Sequence, residues 1–178
     1  MTNRNNTSLK LKEMVLFAML AALMFCSKKV MEGLPNIHLV GMFIMTFTVV
    51  FRKKALIPLY IYVFLDGLFG GFGTWWIPYL YIWTILWGIT MLLPKKMPRV
   101  AKCIVYPIVC SLHGLAFGIL YSPVQALMFG LNFEQTLVWI ASGFPYDILH
   151  AAGNLVFGMF IVPFSELFDK LLKKQHFT

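Results

Sequence analysis

The chain has 178 residues, 60% of them hydrophobic and 12% charged, with a mean hydropathy of +0.77. Soluble domains carry about twice that charged fraction, so composition favours an integral membrane protein of one compact domain. The net charge of +8 sits in clusters beside apolar runs, with no basic face interleaved with aromatic residues; this fits topology and anionic lipid and argues against nucleic acid.

Residues 1–10 are polar and read as a short cytoplasmic tail. The basic start and apolar Met14–Cys26 stretch look like a signal sequence. However, Met24 and Phe25 stand before Cys26 where lipoprotein cleavage needs small residues, and no A-x-A-like site follows. The stretch is therefore helix one, Leu11 to Met31, with Lys28 and Lys29 snorkelling to the outer interface. Glu32 to Asn36 is a turn-rich outer loop. Helix two covers Ile37 to Phe51 and ends at Arg52-Lys53-Lys54; helix three covers Ala55 to Phe69, where Gly67, Gly70, Gly71 and Gly73 break it.

Helix four runs from near Trp76 to Pro94, a basic inner loop follows to Lys102, and helix five spans Ala101 to Tyr121. In residues 122–143, Gln125, Asn132, Glu134 and Gln135 interrupt an apolar stretch. That segment reads as an outer half-helix or re-entrant segment packed on protein; as a seventh span it would put Lys170 to Lys174 outside. Helix six runs from Pro145 to Leu167 and ends amphipathic and basic. No repeat argues for inverted halves.

The predicted architecture is an all-α membrane domain over residues 11–178: a single compact bundle of six transmembrane helices, N-in/C-in. In that topology Arg4, Lys10, Lys12, Arg52, Lys53, Lys54, Lys95, Lys96, Arg99, Lys102, Lys170, Lys173 and Lys174 are all cytoplasmic. Only Lys28 and Lys29 fall outside, so the positive-inside rule supports an even number of spans with both ends in the cytoplasm. Cys26, Cys103 and Cys110 lie in apolar runs, and their odd number without a CxxC supports neither disulfides nor a metal site.

Helix six carries the sharpest pattern. Asp147, His150 and Asn154 stand at i, i+3 and i+7 and share a face. Ionisable groups at membrane depth face a cavity or a partner. The stripe is either a polar ligand site or a hydrogen-bond network tying helix six to its neighbours. Gly73 to Trp83 is dense in aromatic residues. An interfacial belt explains part of it. Trp75, Trp76, Tyr79 and Trp83 are also candidates to stack on a ring or attract a cation, whereas Trp87 is deep and reads as packing. Asp66 is the only acid on helix three and is open to a ligand cation, His113, Lys28 or Lys29. His113 reads as a core histidine or a ligand contact. Asn36 and His38 are placed to close over a site or to cap helix two. Tyr121, Gln125 and Glu134 are weaker candidates, as is Tyr146 beside Asp147.

Ala18 and Ala22, at i, i+4 in helix one, let another helix approach closely. No phosphate-binding P-loop, H-E-x-x-H, G-x-S-x-G or Cys/His cluster occurs, and no run of gating arginines. Without a nucleophile or metal partner for Asp147 and His150, a membrane enzyme is disfavoured, and no catalytic residue, metal or cofactor is assigned.

The chain resembles the substrate-binding S component of energy-coupling factor (ECF) vitamin transporters over nearly its whole length. The resemblance rests on size and topology, on Ala18-x-x-x-Ala22, on Leu34-Pro35-Asn36-Ile37-His38-Leu39-Val40 entering helix two, and on Pro145-Tyr146-Asp147-x-x-His150-x-x-x-Asn154. It implies a plasma-membrane subunit of a bacterial ABC importer that binds a vitamin or related micronutrient outside and does not hydrolyse ATP. It implies partners too: a transmembrane coupling subunit, docked through Ala18 and Ala22, and two cytoplasmic ATPase subunits. Bulky Met19, Leu20 and Arg52-Lys53-Lys54 depart from many relatives and leave the subfamily open. The expected ligand is a flat polar or cationic ring such as a pyrimidine, pterin or flavin fragment. A corrinoid would need a wider mouth, and pantothenate would use Lys28 or Lys29. The competing functions are an ion-coupled secondary transporter and a six-span structural scaffold.

Overall fold

The computed structural model describes the backbone of residues 2–174 and the side chains of residues 11–174. Arg4 and Lys10 of the predicted cytoplasmic set therefore lie outside the described side chains. All regular structure among these residues is helical: α1 (Thr2–Val30), α2 (Val40–Phe51), α3 (Leu56–Gly70), α4 (Tyr79–Leu92), α5 (Arg99–Leu115), α6 (Phe117–Phe129), α7 (Phe133–Gly158) and α8 (Ile161–Lys174). A 3-10 turn, Arg52–Ala55, joins α2 to α3. Because α5 and α6 run on as one 31-residue rod and α7 and α8 form one rod bent by 45°, the eight helices make six rods.

Arg99–Phe129 is long and apolar enough to cross a membrane, the bent α7–α8 pair passes the same test as a unit, and α4 is a shorter apolar helix.

α2 sits at the centre. It carries no charge, is apolar all round, and buries every residue from Val40 to Thr48, as a helix enclosed on all sides must. It packs against α4 and α8, touching α1, α5 and α7 as well. Thr48 avoids an orphaned hydroxyl by donating to the Ile44 carbonyl at 2.6 Å. The most extensive helix pair is α5 with α7. Small residues allow that approach: a Cβ on Gly158 would lie 2.7 Å from the Pro107 Cα, and one on Gly114 would lie 3.0 Å from the His150 carbonyl carbon.

The basic turns gather at one pole. Arg52 donates to the Met91 carbonyl (3.0 Å), and Trp87 donates to the Arg52 carbonyl (3.1 Å), holding Arg52 at φ 55°. Lys54 pairs with Glu13 (2.6 Å) and Arg99 with Glu166 (2.8 Å), so α1, α4, α5 and α8 converge there. At the other pole lie the loops 31–39 and 71–78 and the turn 130–132. Between the poles the bundle's sides expose large apolar side chains such as Phe64, Leu112, Leu127, Val138 and Val156.

Several predicted boundaries are corrected. α1 starts at Thr2, so the presumed tail of residues 1–10 is helical from its second residue. α2 begins at Val40 because Leu34–Leu39 stays a turn, with Asn36 at φ 56°, a conformation asparagine tolerates. α4 begins at Tyr79, after the Pro78 N-cap.

The 122–143 segment is not an element of its own: it comprises the end of α6, a turn and the start of α7. α6 continues to Phe129, Gly130 turns the chain at φ 64°, and α7 restarts at Phe133. Asn132 and Gln135, read as interruptions, form a capping box: Asn132 Oδ1 accepts from Gln135 N–H and Gln135 Oε1 accepts from Asn132 N–H, both at 2.9 Å. Pro145 is thus inside α7, not at a helix start, and the last rod bends after Gly158.

Candidate functional site

At the pole opposite the basic turns, loop 31–39 covers a cavity of about 270 Å³. Lys28 comes from the end of α1; Met31, Glu32, Leu34, Pro35, Asn36, Ile37 and His38 from the loop; Tyr79, Phe117 and His150 from α4, α6 and α7. The loop is therefore a roof laid across four helices. Glu32 is exposed and accepts from Lys29 at 2.9 Å, which holds its carboxyl below the ordinary range.

Lys28 is the cation of the site. Its ammonium pairs with the buried Asp66 carboxylate of α3 and lies 4.8 Å from the Tyr79 ring centroid and 5.9 Å from that of Trp75. Beneath the cavity is an aromatic cluster. The His38 and His150 rings are 4.8 Å apart, Phe117 is 4.9 Å from His150, and Trp83 is 5.9 Å from His38 and 5.8 Å from His113.

Polar atoms in this cluster lack partners. His38 Nδ1, Trp83 Nε1, His113 Nδ1 and both ring nitrogens of His150 are buried without a hydrogen bond. His113 donates from Nε2 to the Ile82 carbonyl at 3.1 Å, leaving Nδ1 as its acceptor. Buried polar atoms are nearly always paired, and three of these orphans, His38 Nδ1 and the two His150 nitrogens, belong to residues that line the cavity, where an occupant can reach them. Among the described residues, no three His, Cys, Asp or Glu side chains are placed to hold a metal ion.

Of the candidates that the amino-acid pattern suggests, the structure brings Asn36, His38, Tyr79 and His150 to the cavity. It sets Trp83 and His113 behind them and links Asp66 through Lys28. Trp75 lies against Tyr79, with ring centroids 5.6 Å apart.

The remaining candidates are spent elsewhere. Trp76 donates to the Val63 carbonyl (2.7 Å), fastening loop 71–78 to α3. Tyr121 donates to the Trp75 carbonyl (3.1 Å) and stacks on Trp139. Gln125 and Glu134 lie beyond the cavity lining, and Tyr146 is 53% exposed on the bundle's side.

The α7 stripe divides. His150 faces the cavity, but Asp147 and Asn154 face the α5–α6 rod. Both Asp147 oxygens accept the Gly118 N–H at 3.2 Å, drawing that donor from the helical ladder where α5 passes into α6. Asn154 donates to the Cys110 carbonyl at 3.1 Å. Replacing Asn154 with alanine is expected to lower stability by about 1–3 kcal/mol while leaving affinity for any cavity ligand unchanged. Thermal unfolding with a parallel binding titration checks both halves.

Phe117 is a cavity residue that the sequence patterns above do not single out. Its signal is Gly114-x-x-x-Gly118, the small-residue pair that brings α7 against the α5–α6 rod and carries Phe117 to the cavity. Midway along α1, Ala18 and Ala22 are exposed, with Met14, Val15, Met19 and Leu23 beside them, while Phe17, Leu20, Ala21 and Met24 face the core.

Comparison with known proteins identifies no relative: no family model, no curated protein and no solved structure matches the chain.

Proposed function

We propose that the protein is a solute-capturing membrane subunit of the ECF type. It takes a vitamin-like micronutrient from outside and delivers it by docking, through α1, on a coupling subunit driven by two ATPases. The observation that carries this reading is the roofed cavity with its unpaired histidine nitrogens, set at the pole opposite the basic turns. By the positive-inside rule the basic pole is cytoplasmic and the cavity opens outward. Each of the six rods then crosses the bacterial plasma membrane once, N-in/C-in. The exposed apolar sides support a lipid surrounding, since soluble monomers rarely expose large contiguous apolar surface.

α2, α3 and α4 have 12, 15 and 14 residues, about 18–22 Å of helix against a core of about 30 Å. The Leu34–Leu39 and Phe72–Pro78 segments lengthen those columns toward the outer face. Loop backbone at that depth is tolerated because it packs on protein and lines a cavity.

Capture without catalysis fits the site: Lys28 is matched by Asp66, and no nucleophile–base pair among the described residues faces the cavity. The test is native mass spectrometry of protein purified in mild detergent, followed by release of its bound small molecules. A stoichiometric vitamin-like solute is the expected result. An empty protein that also binds nothing from a vitamin panel would overturn the proposal and favour a scaffold. Uptake that collapses with an uncoupler at constant ATP would instead favour ion-coupled transport.

A further inference from the structure

We infer that the cavity takes an uncharged, flat nitrogen heterocycle of one or two rings, whose edge offers a hydrogen-bond donor beside an acceptor. This rests on the capture reading above and narrows it to a lactam-type ring. The size comes first: about 270 Å³ lies just below the range of roughly 300–1,000 Å³ typical of small-molecule sites, enough for one or two rings and far too small for a corrinoid.

Polarity comes next. His150 is 1% exposed, lines the cavity, and has no partner at either ring nitrogen. His38 adds a free Nδ1 from the roof, its ring 4.8 Å away at 70°. A neutral imidazole carries its donor and its acceptor on diverging sides of the ring, so one His150 nitrogen together with the neighbouring His38 Nδ1, one donating and the other accepting, asks for a ligand edge carrying the complementary pair. A lactam N–H beside its C=O is that edge. Tyr79 and Phe117 supply apolar ring walls.

Charge decides between ring classes. Asp66 is matched by Lys28, and Glu32 by Lys29. Among the described residues, no carboxylate at the cavity is left to hold a cationic ring, and an anion would have to draw Lys28 from Asp66. An uncharged ring meets neither obstacle.

The experiment is isothermal titration of the full-length protein in nanodiscs. The probes are lumazine and hypoxanthine as uncharged lactam rings, nicotinate as an anion and 1-methylnicotinamide as a cation. At least one lactam ring should bind about tenfold or more tighter than either charged probe. His150→Phe should weaken that binding by about 30-fold or more, and His150→Gln, which keeps a donor and an acceptor, should lose less. If His150→Phe does not fold, the glutamine variant and the probe ranking still decide.

Binding of a lactam ring that is unchanged in His150→Phe overturns the inference. So does a charged probe binding most tightly, or a co-purified solute that is charged or lacks the lactam edge; solute capture then stands. An uncharged lactam solute released from the purified protein supports the inference even if neither lactam probe binds. No binding by any probe and no co-purified solute means that the histidines face only water, and overturns the inference and the capture reading together.

Discussion

Lys28→Met will lower stability by about 3 kcal/mol, which for a chain of this length is a fall in Tm of about 6–12 °C. Asp66 is 3% exposed and its carboxylate pairs with the Lys28 ammonium between α1 and α3. Removing the lysine leaves a buried charge without its counter-ion, whereas removing both members leaves an apolar contact. Lys28→Met with Asp66→Leu should therefore recover most of the loss, and Asp66→Leu alone should fall between. Detergent-solubilised protein followed by thermal unfolding gives all three values. A single variant within about 1 °C of the parent would show that water already screens the carboxylate, and the pair would then contribute no more than a surface ion pair. Methionine also removes the cation over Tyr79, a contribution of about 0.5–1 kcal/mol that the double variant does not restore.

Some parts of this molecule are legible in the sequence because their causes are local. α2 and α3 are near-continuous apolar runs separated by Arg52-Lys53-Lys54, and the pattern places both within three residues of their observed ends. Leu34-Pro35-Asn36 announces a turn through proline and a residue that tolerates positive φ. That this turn roofs a cavity depends on where α4, α6 and α7 stand, and no local pattern carries that.

The 122–143 segment misleads for a different reason. Asn132 and Gln135 look like polar residues interrupting an apolar stretch, yet their three-residue spacing marks a helix start. Pro145 pulls the same way, since proline favours a first turn but here sits inside α7.

The α7 stripe is correct in periodicity and incomplete in environment. Asp147, His150 and Asn154 do share a buried face, but spacing cannot say which part of that face meets a backbone N–H, a carbonyl or a cavity. Lys28 and Asp66, 38 residues apart, are one of several pairings that sequence leaves open.

Ala18→Trp is expected to leave the affinity for the cavity solute within about threefold and to reduce its uptake by cells at least about tenfold. Ala18 is exposed on α1, and the cavity residue Lys28 lies ten positions further along, about 15 Å away along the axis. A bulky ring at Ala18 therefore adds nothing to the site. It does stand where the proposed coupling helix must come close: paired helices pack at about 8–10 Å, and alanines at i and i+4 permit the short end of that range. The adjoining surface is already apolar, continuing through Met19 and Val15 into a groove of about 620 Å³ between α1 and α8. Tryptophan thus disturbs fit without introducing a polar group. Ala22→Trp should reproduce the effect, and Ala21→Trp should not fold normally, since Ala21 is fully buried. Pull-down of the coupling subunit separates the causes: lost uptake with lost association supports docking through this face. Unchanged uptake in both exposed variants would place the coupling surface elsewhere on the bundle, while the capture site would stand on its own titrations.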